Sequence, residues 1–487
     1  MRLGSAATLW RVTPMLAFAL LVTGCVSSQQ APCVDNDGTY PLPNNLCSSY
    51  ASLDTVPPPP STAVDAPEMP VGSLPRKVEK PPRAGKLTLQ QLVRVLVGTN
   101  PDIGIAAAKE KEQFAAIAGA QASLLPSLDL TAAAGPQRNW QTDPAGNALR
   151  REVGLSFRQN LYDFGAARSN VERAALAYES ATHARIAKSE QTVFDMLDLL
   201  LKTQQIDRTI QITKRNIESH ESILAIVQSN ESNGNSTVAD VKRVTTRLES
   251  ARSTLIDMTT ERTNAADAFR RLTDVEVDRV VDHVSPRLGG DPTKLTQERL
   301  DQNPEIIAIQ NEIASLKQQL EAVRAGALPN LGVESNFKLG RQMSEPDATM
   351  DRKSYANVLL SLRVPVLDGG SNDSMRQQVG ARLEASYLRL DKRRRELAED
   401  AKGAQRISVS DKDKSGALAA RVDAARKVKE LYFEQFKDGS RTIFELLDSQ
   451  VDLVKAETDL IAQDFNRRRA RIKTLLLDGT LVRSVMN

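Results

Sequence analysis

The amino-acid sequence predicts a mainly α-helical chain with a smaller β component, in which one unit of helix, β-hairpin and long helix occurs twice. Three observations carry this: motifs that return at a fixed spacing, stretches whose apolar residues alternate with period two, and long runs without glycine or proline. Asn100-Pro101-Asp102-Ile103 returns as Asn303-Pro304-Glu305-Ile306, and Leu125-Pro126-Ser127-Leu128 as Leu328-Pro329-Asn330-Leu331, both 203 residues on. Leu161-Tyr162-Asp163-Phe164-Gly165 is answered by Val366-Leu367-Asp368-Gly369-Gly370 at 205. Gly234, Thr237, Leu248 and Ala251 meet Gly439, Thr442, Leu453 and Ala456 at the same 205. A constant offset with one two-residue slip in a polar loop means two copies of one structural unit.

Taken in order, Thr88 opens an amphipathic run of Leu89, Leu92, Val93 and Leu96 that stops at Asn100-Pro101. Ile103 to Leu124 is Ala-rich and free of proline, so it reads as helix, and Pro126 ends it. Val153, Leu155 and Phe157 then alternate with Gly154, Ser156 and Arg158. In the second copy Leu331, Val333, Phe337 and Leu339 share one face, and Val358, Leu360, Leu362, Val364 and Val366 alternate with residues such as Ser361 and Arg363. These patterns predict hairpins at about 128–162 and 331–366, with strands of roughly ten residues and polar loops at Pro136–Arg150 and Arg341–Ser354. From Ala166 to Asn233 there is neither glycine nor proline, which allows a helix of roughly 100 Å. The second copy has no proline after Pro365, but Gly380, Gly403 and Gly416 each cost its long helix about 1 kcal/mol relative to alanine. Helices of this length must pack side by side to bury their apolar stripes.

Of the 487 residues 41% are hydrophobic, 26% charged and only 4% aromatic, which suits thin, repetitive packing rather than one thick globule. Lys plus Arg number 64 against 61 acids, and the first 24 residues hold two of the arginines and no acid. A chain this close to neutral has no electrostatic footprint for nucleic acid. Past residue 25 no apolar run approaches the 18 or so residues of a membrane-spanning helix. His183, His220 and His283 stand alone on helical segments with no metal-ligand spacing and no paired nucleophile, so each reads as a surface histidine. No phosphate-cradling glycine loop is present. Lys392-Arg393-Arg394-Arg395 and Arg467-Arg468-Arg469 read as solvated helix faces. Neither an enzyme nor a bound cofactor is expected.

The N-terminus reads as an address. Arg2 and Arg11 precede the apolar stretch Val12 to Val22, which ends Val22-Thr23-Gly24-Cys25. This resembles the lipobox of bacterial lipoproteins, which implies cleavage after residue 24 and acylation of Cys25. Val26, in place of an aspartate, then favours sorting to the outer membrane. The other reading is an ordinary signal peptide with an incidental Cys25. Three cysteines in an exported chain leave one unpaired. With Cys25 lipidated, Cys33 and Cys47 remain either as a disulfide worth about 3 kcal/mol on the chain-entropy model or as two free thiols. Twelve of the 23 prolines fall between Pro32 and Pro82, an extended spacer too poor in apolar residues to fold. The chain therefore divides into a signal (1–24), an acylated, Pro-rich linker (25–86), a first repeat (87–284), a connector (285–302) and a second repeat (303–487).

Strands of about ten residues with one apolar and one polar face suit a transmembrane β-barrel. Two hairpins supply four strands, too few to close a ring, and open sheet edges are forbidden in hydrocarbon. Either several subunits share one barrel, or a small sheet caps a helical bundle in water.

Two copies of helix, hairpin and long helix, with Leu161-Tyr162-Asp163-Phe164-Gly165 at the strand-to-helix corner, resemble the TolC family of outer-membrane channel proteins. The stretch Tyr432 to Asp448, with Gln435-Phe436 followed by Gly439-Ser440-Arg441-Thr442 and the acids Glu445 and Asp448, is similar to that family's C-terminal hallmark in the branch serving type I protein secretion. The resemblance runs from about Leu87 to Leu481. It implies a homotrimer with a twelve-stranded outer-membrane β-barrel, continued across the periplasm of a Gram-negative bacterium by an α-helical barrel with a closed tip. It also implies a periplasmic adaptor (membrane fusion) protein and an inner-membrane transporter, ABC or proton-driven, as partners. Lipid surrounds the barrel.

Gly234 and Gly439 interrupt the helical pattern at matching points, so each marks a tight turn at the end remote from the hairpins. Arg441, Glu445 and Asp448 follow at spacings of four and three, on one helix face, which in a lone chain reads as a solvated face with an Arg–Glu pair worth about a few tenths of a kcal/mol. The resemblance makes Arg441 a latch on the periplasmic gate and Glu445 and Asp448 acidic rings around the lumen. Asp240, the matching site in the first copy, becomes a candidate partner for Arg441. Phe436 stands where efflux members often carry tyrosine, removing a hydroxyl from the gate. Gly234, Asn235, Ser236 and Thr237 with Gly439, Ser440 and Thr442 form small, polar turns suited to docking an adaptor. Within this class, protein secretion is favoured by the Gln435–Asp448 segment and small-molecule or drug efflux by acylation at Cys25. A lipid-anchored periplasmic adaptor is the distant alternative, and the duplicated β-hairpin argues against it.

Overall fold

The computed structural model describes residues 86–137, 148–280, 289–344 and 350–486. Cys25, Cys33, Cys47, the Pro-rich linker and His283 lie outside these residues. Each repeat runs from a short helix to a medium helix, a hairpin, and two long antiparallel helices. In the first these are α1 (Leu89–Thr99), α2 (Pro101–Ala122), β1 (Ser127–Gln137), β2 (Ala148–Tyr162), α3 (Ala166–Ser232) and α4 (Val238–Thr273). In the second they are α5 (Gln297–Asp301), α6 (Pro304–Gly326), β3 (Asn330–Ser344), β4 (Met350–Arg363), α7 (Ser371–Lys437) and α8 (Ile443–Leu477), followed by α9 (Leu481–Met486).

The repeated sequence motifs are repeated joints. Asn100 Oδ1 accepts from the backbone N–H groups of Asp102 and Ile103 and so caps α2, while its amide donates to Leu272 O at the end of α4. Asn303 caps α6 through Glu305 N and donates to Leu476 O and Leu477 O at the end of α8. One side chain per repeat thus satisfies an open helix start and ties it to the far end of the same repeat. At the strand-to-helix corners Asp163 accepts from Gly165 N and Ala167 N, and Asp368 from Gly370 N and Asn372 N. Two consecutive left-handed residues turn the chain at each corner, Phe164 and Gly165 in one, Gly369 and Gly370 in the other. Left-handed backbone is unusual for phenylalanine, and Phe164 packs its ring edge-on against Tyr162 at 4.8 Å.

Both α3 and α7 are 67 residues long. Helix α7 passes unbroken through Gly380, Gly403 and Gly416, because α6 and then α8 pack along its length. Nearer the sheet the helices lie side by side as α2, α3, α6, α7; beyond the middle the order becomes α4, α3, α8, α7. Between these halves the largest apolar cluster joins Leu92 and Leu96 of α1, Met196 and Leu197 of α3, Phe269 of α4 and Leu481 of α9. None of the helices among the described residues is long and apolar enough to cross a membrane.

The four strands form one antiparallel sheet in the order β1-β2-β3-β4, so the two repeats meet at the β2–β3 pairing. The register sets Leu128, Leu130, Leu155, Phe337, Val358 and Leu360 on one face, and Asp129, Ser156, Arg158, Glu334, Asn336 and Asn357 on the other. The apolar face is bare within the chain: Leu130 and Val358 are each 74% exposed. The strands are longer than the expected ten residues, and the pairs Arg341↔Arg352 and Gln342↔Asp351 extend the β3–β4 ladder into the stretch read as loop. Main-chain bonding continues there after the apolar alternation has ended. Strand β4 stops at Arg363 rather than near 366, since Pro365 has no N–H for the ladder.

Opposite outcomes follow for two neighbouring positions. With the sheet facing lipid, as the resemblance implies, Leu155→Lys should cost up to about 2–4 kcal/mol and reduce recovery of assembled protein from the membrane fraction, whereas Ser156→Lys on the polar face should leave recovery near that of the parent; quantitative fractionation of the two variants checks this.

Candidate functional site

The two long helical hairpins turn by the same device. At the end of α3 Gly234 has φ of 77° and Asn235 N donates to Asn230 O; at the end of α7 Gly439 has φ of 73° and Ser440 N donates to Gln435 O. These are glycine-terminated helix ends in which a left-handed residue lets backbone N–H groups return to open carbonyls. Each following helix begins with a capping box. Thr237 and Asp240 exchange bonds of 3.1 and 3.2 Å at the start of α4, and Thr442 and Glu445 bonds of 3.3 and 3.4 Å at the start of α8. Helix, glycine turn and capped helix thus recur at both tips.

The tips are brought together by an apolar cluster of Ile223 and Val227 from α3, Val244 from α4, Phe436 from α7, and Ile443, Leu446 and Leu447 from α8. Phe436 is buried in this cluster, where its ring packs the tip from within the chain. The aromatic group beside Arg441 is Tyr432, one turn earlier. The Arg441 guanidinium lies 4.2 Å from the Tyr432 ring centroid, donates through Nε to Gln435 Oε1 at 3.0 Å and through Nη1 to Glu445 Oε1 at 2.7 Å. Sequence reasoning missed Tyr432 because it lies nine residues before the arginine, and only the glycine turn folds it back alongside.

The remaining expected residues fall as follows. Asp240 is held by Thr237, and within one chain no ion pair joins it to Arg441, so that expected partnership is not made inside a single chain. Asp448 lies on α8 as expected but pairs with Arg247 of α4 at 3.6 Å. Gly234, Asn235, Thr237, Gly439, Ser440 and Thr442 are exposed and Ser236 half-buried. The hydrogen bond from Arg441, then those from Thr442, hold the Glu445 carboxyl below its ordinary 4.5, and Glu445 in turn raises Arg441. Hydrogen bonds from Thr237 lower Asp240 in the same way.

Two other expectations change. His220 is 2% exposed rather than a surface residue. The arginine clusters are in part cross-helix ties: Lys392 and Arg395 lie on a solvated face of α7, whereas Arg393 bonds Glu305 at 2.7 Å, Arg394 bonds Asp301 at 2.9 Å, and Arg469 bonds Asp198 at 2.6 Å across helices.

A sheet with one bare apolar face, continued by very long helical hairpins that end in capped turns, defines the class of outer-membrane channel proteins. The chain belongs to the outer membrane efflux protein family, whose pattern matches residues 92–274 and 295–480, one stretch in each repeat. It is 21% identical to the outer membrane protein TolC of Vibrio cholerae over 378 residues, covering 74% of this chain and 83% of that one. With the alkaline protease secretion protein AprF of Pseudomonas aeruginosa it shares 24% identity over 67% of this chain and 69% of the relative. With the pyoverdine export outer membrane protein OpmQ of the same species it shares 22% over 80% and 84%. Among solved structures, VceC of Vibrio cholerae superposes with a TM-score of 0.70 at 15% identity, over 82% of this chain and 96% of that one. CusC gives 0.68 at 17% identity, over 87% and 98%.

The lowered Glu445 sets a pH window. A carboxylate stabilised in the folded tip contributes above its ordinary value and loses that contribution as pH falls through the lowered one. The Arg441–Glu445 contact should therefore persist through neutral and mildly acid solution. A carbon-detected NMR titration should place the Glu445 midpoint below 4.5, and Arg441→Ala should move it upward.

Proposed function

We propose that three copies of this chain share one twelve-stranded barrel and form the outer-membrane exit duct of a tripartite export system. The observation that carries this reading is the open sheet: β1 and β4 each leave an unpaired edge while one face is apolar and bare. Backbone groups left open at such an edge cannot be satisfied by lipid, so copies must pair edge to edge until the ring closes. The polar face then lines the pore. The long hairpins continue it into the periplasm as a helical barrel, and Cys25 carries the lipid that anchors the N-terminus.

Type I protein secretion, with an inner-membrane ABC transporter and a periplasmic adaptor, is the cargo reading that the Gln435–Asp448 segment and the likeness to a protease secretion protein support. The likeness to a pyoverdine export protein supports small-molecule efflux as the second reading. Deleting the chain separates them: loss of specific proteins from the culture medium with unchanged drug susceptibility supports secretion, and the converse supports efflux.

At the tip, Arg441 acts as the latch. Its three contacts to Tyr432, Gln435 and Glu445 hold the start of α8 against the end of α7, and around a threefold axis Glu445 and Asp448 become acidic rings, with Asp240 of a neighbouring copy within the reach of the same machinery. The exposed turns at Gly234 and Gly439 receive the adaptor.

The purified protein should run as an SDS-stable oligomer that heat dissociates, and a monomer in outer-membrane extracts would overturn the shared barrel. In planar bilayers Arg441→Ala should raise basal conductance severalfold at pH 7; unchanged conductance removes the latch role. Gly439→Trp, at a left-handed position open to solvent, should abolish export while leaving the oligomer intact.

A further inference from the structure

His220 sits on α3 where the apolar tip cluster ends. Toward the tip lie Ile223 and Val227 of that cluster. Away from it, Gln450 of α8 donates to Asn216 at 3.0 Å and accepts from Ser219 at 3.3 Å. The imidazole is 2% exposed, and its buried Nδ1 has no hydrogen-bond partner. Buried polar atoms nearly always have a partner, so an orphan of this kind calls for an explanation.

The charges around it come from every neighbouring helix. Helix α4 presents Arg247 and α7 presents Lys429, and both oppose a charge on His220. Helix α8 presents Asp448, already engaged by Arg247 at 3.6 Å, and the uncharged Gln450. On α3 itself the adjacent Glu221 is taken up by Arg252 at 2.9 Å. A proton on His220 would thus add a buried cation beside two others, with no free carboxylate to receive it.

We propose that His220 is an acid-sensitive wedge: protonating it loosens the packing of the α3–α4 hairpin against the α7–α8 hairpin at the tip. Burial, followed by Arg247 and Lys429, holds the imidazole below its ordinary 6.5. The loosened tip, where the ring meets water, takes up the proton near that ordinary value, while the packed tip takes it up only at lower pH. Packing is therefore strongest at neutral pH and above, and weakens as pH falls through the interval between the two. Glu445 and Asp240 are held below their ordinary 4.5 and 3.8, so both carboxylates stay charged between pH 7.5 and 5.0. The consequence for the channel, an acid-opened gate, rests on the function proposed above; the loosening itself does not.

Hydrogen–deuterium exchange of the full protein in detergent, corrected for the intrinsic pH dependence of exchange, tests the wedge directly. Between pH 7.5 and 5.0 exchange in residues 216–250 and 428–450 should rise by about tenfold per unit of imidazole depression, and His220→Gln should flatten that rise. Lys429→Met supplies an independent arm: with one opposing cation removed, the midpoint of the rise should move to higher pH. An acid response that survives His220→Gln, or a midpoint unmoved by Lys429→Met, overturns the proposal. Bilayer conductance in the same variants then reads the gate separately. A pH-dependent exchange change without a conductance change would keep the wedge and reject only its link to gating.

Discussion

The constraint on which the structure depends is that a sheet edge cannot end in hydrocarbon. An apolar face made of Leu128, Leu130, Leu155, Phe337 and Val358 drives the sheet toward lipid. The same move would strand the open N–H and C=O groups of β1 and β4, each costing several kcal/mol without water. Pro136 is tolerated because it lies one residue from the end of β1, where the ladder is about to stop. The helices joined to neighbouring strands lie side by side near the sheet, α2 with α3, α3 with α6 and α6 with α7.

Much of this was legible because the chain states it twice. The period-two alternation at 153–158 and 331–339 gave the faces of the sheet correctly, and the run from Ala166 to Asn233 gave the first long helix to within a residue of its observed end. The paired Asn-Pro motifs proved to be joints, since only a side chain with both an acceptor and a donor can cap one helix while binding the end of another. Strand ends were less legible. The ladder beyond residue 340 is held by main-chain bonds, which leave no trace in side-chain pattern.

At the tip, the positions were legible and the contacts were not. The glycines and the one-sided spacing of Arg441 and Glu445 predict a turn and an ion pair, and the ion pair forms. Whether an aromatic residue faces the arginine or the core depends on helix rotation across a turn, a tertiary quantity. Here Phe436 faces the core and Tyr432 faces Arg441. Burial of His220 is tertiary in the same sense, because α3 has so little net amphipathic bias that the helices packed on it, and not its own pattern, decide which side is covered.

The seam between α3 and α8, which joins the repeats, is laced by polar rungs, as the α3–α4 and α7–α8 seams within them also are. Along α3 and α8 the contacts are Gln450 with Asn216 and Ser219, Glu457 with Arg215 at 3.4 Å, Asp464 with Arg208 at 3.5 Å, and Arg469 with Asp198 at 2.6 Å. Glu457 also receives Arg426 of α7 at 3.2 Å, so one carboxylate spans three helices. Ion pairs with a partner in water are worth about 0–1 kcal/mol each, far less than burying a leucine. Such a ladder favours one register of the helices because its rungs sit at fixed heights, yet it costs little to exchange rungs for water. Apolar packing at the tip and near the middle then supplies the attachment, and the polar stretch between supplies alignment. At the tip the attachment resides in a small apolar cluster and the Arg441 contacts, while the polar seam behind it supplies register rather than burial.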